Sequence, residues 1–278
     1  RPHLDPRLSD TEPASPIGSP GVRGLNVDFE LTQDGGRASV VVQQGHLELP
    51  GVFEQPRIAL DQLAAELQWK LQGAQTSLQI SNARFANADA QGEFQLKWHT
   101  GAAADTRLPG VLELQGSMSR AELASLHRYL PQAIHAEVRD YLRQALPQGR
   151  AGGARFQVKG DLRDFPFSQP GQGEFRITAS VFDTRFVYVP TSLQPAQQLP
   201  WPALTDLRGE LLIDHASLQL RNINARVQGA PQLRISQGEA RIPDMGHEAR
   251  VLTSLQLAGP LDDALRSLIS SSPLDAML

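Results

Sequence analysis

The chain has 278 residues, room for one large domain or two of ordinary size, and its 40% hydrophobic content is enough for a core. A formal charge of −4, with 26 basic residues scattered along the chain, gives no electrostatic footprint for nucleic acid. Cysteine is absent, which excludes disulfides, thiolate metal sites and cysteine nucleophiles and accords with an oxidising compartment, and no apolar run approaches the ~20 residues that cross a bilayer.

The chain begins with Arg1 rather than Met. It reads as an internal piece of a longer protein, with any targeting segment or anchor upstream. Residues 1–24 are rich in Pro, Ser and Gly without any period and read as a linker or extended arm. From Leu25 the pattern becomes alternation. "LNVDFELT" puts Leu25, Val27, Phe29 and Leu31 on one face and Asn26, Asp28 and Glu30 on the other, the period of a half-buried strand. The same pattern recurs in "LAAELQWKLQ" (Leu67, Trp69, Leu71), "SLQIS" (Leu78, Ile80), "EFQLKWH" (Phe94, Leu96, Trp98) and "VLELQG" (Leu112, Leu114). Short links with Gly, Asn or Asp favour antiparallel meanders. Residues 25–118 form a first β-unit on this reading.

A helical insertion follows over residues 119–149. "SRAELASLHRYLP" starts at Ser119 with Glu122 three residues on, the spacing of a capping box, and Leu123, Leu126 and Leu130 fit one face. Pro131 interrupts. "AIHAEVRDYLRQAL" places Ile134, Val138, Tyr141, Leu142 and Ala145 on one stripe, and Pro147 and Gly149 end it.

Alternation returns in a second β-unit over residues 150–259. It carries Phe156 and Val158, then Phe175 and Ile177, then Leu211 and Ile213, then Leu218 and Leu220, then Leu233 and Ile235, and finally Leu255 and Leu257. "PLDDALRSLI" opens a C-terminal helix over residues 260–278. Two internal similarities support the division. "TSLQISNARF" (from Thr76) resembles "ASLQLRNINARV" (from Ala216), and "VLELQGSMSRAELASL" (from Val111) resembles "TSLQLAGPLDDALRSL" (from Thr253). Gly116, Gly160 and Gly259 read as strand terminators.

No motif for chemistry emerges. There is no nucleophile elbow and no phosphate loop; "GQGEFR" at Gly171 has Arg176 where a third Gly belongs. The seven His are isolated, without metal-ligand spacing. Asp262 and Asp263 suit the start of a helix. Asp161 and Asp164 of "VKGDLRDFPF" suit turn and capping roles. No cofactor, metal or nucleic-acid site is expected, and an enzyme has little support. The apolar strand faces allow two arrangements: a closed sandwich, or one curled sheet with its apolar face open as a groove.

"RYLPQAIHAEVRDYLRQAL" followed by "GGARFQVKGDLRDFPF" resembles the central region of YhdP-type proteins, large members of the AsmA-like envelope family related to TamB. "LPWPALTDLRGELLIDHASLQLRNINARV" and "LAGPLDDALRSLISSSPL" are similar to the same family, and the resemblance covers the chain from about Leu25 onward. Tyr141 stands where that family's helix usually has tryptophan, an aromatic in either case.

The resemblance implies a mainly β fold with a few helices. Repeated antiparallel strands would form a curled, taco-like β-groove, with the helix pair between two repeat units. It also implies a non-enzymatic segment of a bridge-like protein of Gram-negative bacteria, anchored in the inner membrane by a segment outside this sequence. That protein would carry phospholipids across the periplasm to the outer membrane. Its partners would be phospholipid acyl chains together with inner- and outer-membrane proteins. The groove lining would then come from Leu67, Trp69, Leu71, Leu78, Ile80, Phe94, Leu96, Leu112, Leu114, Phe175, Ile177, Leu211, Ile213, Leu218, Leu220, Leu233, Ile235, Leu255 and Leu257. The alternative is a closed β-sandwich scaffold of the envelope that binds no lipid.

Overall fold

The computed structural model describes residues 21–101, 108–132, 134–169, 171–194, 199–246 and 250–264. They contain β1 (Gly21–Thr32), β2 (Gly35–Glu48), β3 (Arg57–Gln72), β4 (Gln75–Ala86), β5 (Ala90–His99), β6 (Val111–Glu122), β7 (Gln148–Asp161), β8 (Gly173–Phe186), β9 (Leu204–Asp214), β10 (Ser217–Val227), β11 (Ala230–Ile242) and β12 (Leu252–Ala258). All twelve join one antiparallel sheet in chain order, and β1 does not pair with β12. The sheet is therefore an unclosed, curled meander, as the resemblance implies. It is not a sandwich, because no second sheet exists among the described residues.

The meander follows from short polar links. Gly73 and Gly229 sit in the β3–β4 and β10–β11 turns with φ of +58° and +84°, a left-handed backbone that Gly adopts without penalty. The arm expected over residues 1–24 begins to pair at Gly21, inside β1; residues 1–20 lie outside the described residues. Sequence alternation misses β2 entirely. Its Val40, Val41 and Val42 run together without a period, yet Val40 and Val42 face the apolar side and Val42 is fully buried. Gly116 is not a terminator: β6 continues through it to Glu122.

Eight strands carry a residue at positive φ in their interior: Gly24, Gln44, Asn82, Gly153, Asp183, Asp206, Asn222 and Gln237. At most of these the pairing register slips. Such bulges bend a strand and strengthen its twist, and Asn and Asp tolerate the left-handed region best among side-chain-bearing residues. A ragged line of bulges across the sheet gives it curl.

Between β6 and β7 the chain leaves the sheet as a 3₁₀ helix, Leu123–Tyr129, and an α-helix, α1 (Ala136–Ala145). β6 and β7 still pair with each other, so the sheet is not interrupted. The expected capping box does not form. Ser119 lies in β6 and donates to the Gln91 carbonyl, and Glu122 makes no side-chain cap. Residues 261–264 begin a helical turn, and the rest of the expected C-terminal helix lies outside the described residues.

The helical segment lies along one rim of the sheet. Asp89, in the β4–β5 turn, accepts hydrogen bonds from Ser125 Oγ (2.8 Å), Arg128 Nη1 (2.8 Å) and Tyr129 Oη (2.7 Å). Glu54, between β2 and β3, pairs with Arg143 at 3.1 Å and Arg139 at 3.7 Å. Tyr141 Oη donates to the Tyr188 carbonyl beyond β8. The same rim holds a packed cluster of Ala151, Val181, Leu207, Ile223, Ala225 and Ile235, with Leu123 of the 3₁₀ helix against it.

Candidate functional site

The two faces of the sheet differ in chemistry throughout. One carries charged and amide side chains, including cross-strand ion pairs such as Arg37–Glu30 at 2.6 Å and Arg176–Asp214 at 2.8 Å. The Arg176 guanidinium, against a small cost of burial and with help from His215, holds the Asp214 carboxyl below its ordinary range. The other face is apolar, and strand register organises it into rows that run along the sheet. Leu67, Ile80, Leu96, Leu114, Val158 and Phe175 stand opposite one another from strand to strand. A neighbouring row joins Ala83, Phe94, Gly116, Phe156, Ile177, Ile213, Leu218 and Ile242. A third joins Trp69, Leu78, Trp98 and Leu112.

All nineteen residues proposed from sequence project from this apolar face, by the pairing register and the strand period of two. They are not equally open. Leu233 and Ile235 are buried, at 2% and 7% exposure, towards the packed rim. Leu71, Leu255 and Leu257 are exposed, and the other fourteen are half-buried. The edge strands are the most open, with Phe29 of β1 62% and Leu257 of β12 51% exposed. The alternation overlooked Ala38, Val40 and Val42 of β2, and Phe85 and Met118. It identified Trp98, Phe156 and Val158 as strand residues without assigning them to the lining. The register puts them all in the rows.

Glycine shapes the surface. A Cβ on Gly116 would lie 2.4 Å from Phe156 Cζ and 2.8 Å from Phe94 Cβ. The Phe156 ring therefore lies over backbone that has no side chain. Trp69 covers Gly36 and Trp98 covers Gly110 in the same manner, and Trp98 Nε1 donates to the Pro109 carbonyl at 2.9 Å. These large rings lie along the sheet and leave a low, continuous lining.

The motif "VKGDLRDFPF" closes the opposite rim between β7 and β8. Asp161 accepts the Arg163 backbone N–H and ion-pairs with its guanidinium at 2.6 Å, which holds the Asp161 carboxyl down at about 2. Phe167, 1% exposed, packs its ring over Gly160 and Gly173 and meets Phe165 edge-on. Turn and capping roles account for the two aspartates' stretch, and the buried ring is a feature that strand periodicity does not signal.

Among the described residues, no group of three or more His, Asp or Glu is placed to hold a metal ion, and no helix is long and apolar enough to cross a membrane. Two depressions, of about 610 and 600 Å³, lie on the polar face rather than the apolar one. A strongly twisted sheet is saddle-shaped, so each of its faces is concave along one diagonal. Neither depression opens on the apolar face.

A family model described as YhdP protein matches residues 11–278. Nothing among the curated proteins or the solved structures matches the chain. With an unclosed antiparallel sheet, one continuous apolar face and a helical pair between β6 and β7, the chain belongs to the YhdP family of AsmA-like bacterial envelope proteins.

Proposed function

We propose that the apolar face is an open groove that carries phospholipid acyl chains across the periplasm between the inner and outer membranes, without covalent chemistry. The observation that carries this reading is that twelve strands share one apolar face and that no second sheet covers it among the described residues. A contiguous exposed apolar surface of that extent is unusual without a ligand. Each acyl methylene laid on it gains about 0.8 kcal/mol, and uniform rows of aliphatic and flat aromatic side chains keep successive binding positions alike. Headgroups would stay in water at the open side. β1–β6 and β7–β12 would act as two similar lengths of one groove, and the outer edges of β1 and β12, which pair with no strand among the described residues, would join further lengths of a longer protein, as in other quasi-one-dimensional architectures. An inner-membrane anchor outside this sequence and membrane proteins at either end complete the proposal.

Native mass spectrometry of the purified chain tests it. Co-purified phospholipid that disappears in a folded Ile213→Asp variant supports the groove. A chain that stays free of lipid after incubation with labelled phospholipid refutes it, and leaves a lipid-free envelope scaffold as the function.

A further inference from the structure

The larger depression on the polar face has a constellation that the groove does not use. Arg155 of β7 projects into it, and strand register sets Ser117 of β6 directly opposite on one side and Thr178 of β8 directly opposite on the other. Cross-strand neighbours stand about 4.5–5.5 Å apart at Cβ, so both hydroxyls are in reach of whatever the guanidinium holds. The other cations of the depression are already engaged: Arg84 with Glu93 at 4.0 Å and Arg176 with Asp214 at 2.8 Å. Glu93 stands opposite Ser117 in the same row, where Arg84 faces it from the other side, and Glu174, two rows from Arg155, accepts from Gln157 Nε2 at 2.5 Å and stands opposite Lys159. Arg155 alone among them has no ion pair or hydrogen bond among the described residues.

We propose that this depression binds a phosphate ester through Arg155, Ser117 and Thr178. A guanidinium presents a planar fork that takes two oxygens of an oxyanion. A carboxylate has only those two. A phosphate ester offers a further oxygen, which the flanking hydroxyls can reach as donors, and Gln115 adds an amide beside them. The volume of about 610 Å³ falls in the range of sites for small organic ligands, and its amide-and-arginine lining suits a polar ligand rather than an acyl chain. The site lies on the opposite face from the apolar rows and does not depend on lipid transport. A phosphate monoester supplies that third unesterified oxygen whether it is soluble or a lipid headgroup.

The test follows the arginine Nε–Hε and backbone amide resonances by NMR during titration of the 278-residue chain with inorganic phosphate, with glycerol 3-phosphate, and with phosphatidic acid vesicles. The expected result is a saturable shift of the Arg155 signal. The affinity, read from the backbone amides of Ser117 and Thr178 where Arg155 itself is replaced, should weaken by about tenfold in Arg155→Gln and by a smaller factor in Ser117→Ala and Thr178→Val. Arg208→Gln, in β9, should leave it unchanged. Saturation by glycerol 3-phosphate assigns a soluble ester, and saturation by the vesicles alone assigns a headgroup. No saturable shift with any of the three, or an equal loss in Arg208→Gln, overturns the site.

Discussion

One substitution made at two positions separates an open groove from a packed core. Leu96 stands in the middle of the row Leu67–Ile80–Leu96–Leu114 and is half-buried. Ile223 lies in the cluster at the helical rim and is 7% exposed. Ile223→Asp forfeits about 1.5–3 kcal/mol of transfer energy and adds several kcal/mol for a carboxylate without a partner. The sum, on the order of 5 kcal/mol or more, matches the whole stability of a marginal domain. Leu96→Asp forfeits about half of the transfer term and leaves its carboxylate in reach of water, so about 2 kcal/mol is expected. Its effect on an acyl chain is larger than its effect on the fold. A carboxylate removes the contacts of about three methylenes, ~2.4 kcal/mol or roughly 60-fold in occupancy. Urea unfolding and native mass spectrometry of both variants read the two quantities separately. If Leu96→Asp unfolds as readily as Ile223→Asp, the face at β3–β6 is covered and the groove reading is wrong.

Other outcomes follow from the same structure. The twelve strands, spaced ~4.8 Å apart, give a groove about 53 Å long, against about 15 Å for one leaflet's acyl chains; native mass spectra should therefore show up to about three phospholipids per chain. Gly116→Val should push away both the Phe156 ring and the Glu93 backbone carbonyl, because its Cβ would lie 2.4 Å from each, and should lower stability together with lipid occupancy; an unchanged spectrum and unchanged stability would contradict the packing described. Tyr129→Phe removes a hydrogen bond to an ionised carboxylate, worth about 1.5–3 kcal/mol, and should raise amide exchange across residues 123–129 before the rest of the sheet. For Asp161 the folded carboxyl titrates at about 2, below its ordinary 3.8, so its contribution to stability is complete above the ordinary value and is lost as pH falls towards 2; Arg163→Gln should bring the Asp161 titration, read by NMR, back up.

Much of this architecture is written in the period of the sequence, and the rest is hidden for physical reasons. Strict alternation reveals β5 and the later part of β3 because polar residues separate their apolar ones on a sheet wetted on one side. β2 escaped because Val41 occupies the polar face, where β-branched side chains are also at home, and so erased the period. The helical boundary at Ser119 failed because the same Ser-x-x-Glu pattern also fits a strand end. There Ser119 serves the Gln91 carbonyl, and the local signal for a cap is overridden by pairing with β5. Nor does a period of two show which residue shifts register. The left-handed Asn82, Asp183 and Asn222 could be noticed only as polar residues at strand centres, and it is their bulges that curl the face. Phe167 was invisible because its partners, Gly160 and Gly173, offer room rather than a pattern.

The distribution of packing bears on how such a sheet stays folded with one apolar face unroofed. Its main cluster of buried apolar residues lies at the helical rim of β7–β11, where the 3₁₀ helix meets Leu207 and Ile223, while Val42 and Leu60 in β2 and β3 and Phe167 at the opposite rim are buried apart from it. Away from that rim, order rests on backbone ladders between sequence neighbours and on cross-strand rows, each worth a fraction of a kcal/mol per pair. The Asp89 network ties the helical segment to the β4–β5 turn. Burial pushes the Asp89 carboxyl up, but the hydroxyls of Tyr129 and Ser125 and the charges of Arg128 and Arg120 outweigh it, so the group stays ionised below its ordinary range. Burial and the bond to Asp89 push the Tyr129 phenol up to about 12, so the donor keeps its proton at any pH the network meets. Burial is thus uneven, greatest at the helical rim and at a few separate points, while the half-buried rows between them contribute little individually. Such unevenness would suit the proposed conduit: the half-buried side chains of the rows are free to be uniform because the buried ones elsewhere hold most of the fold.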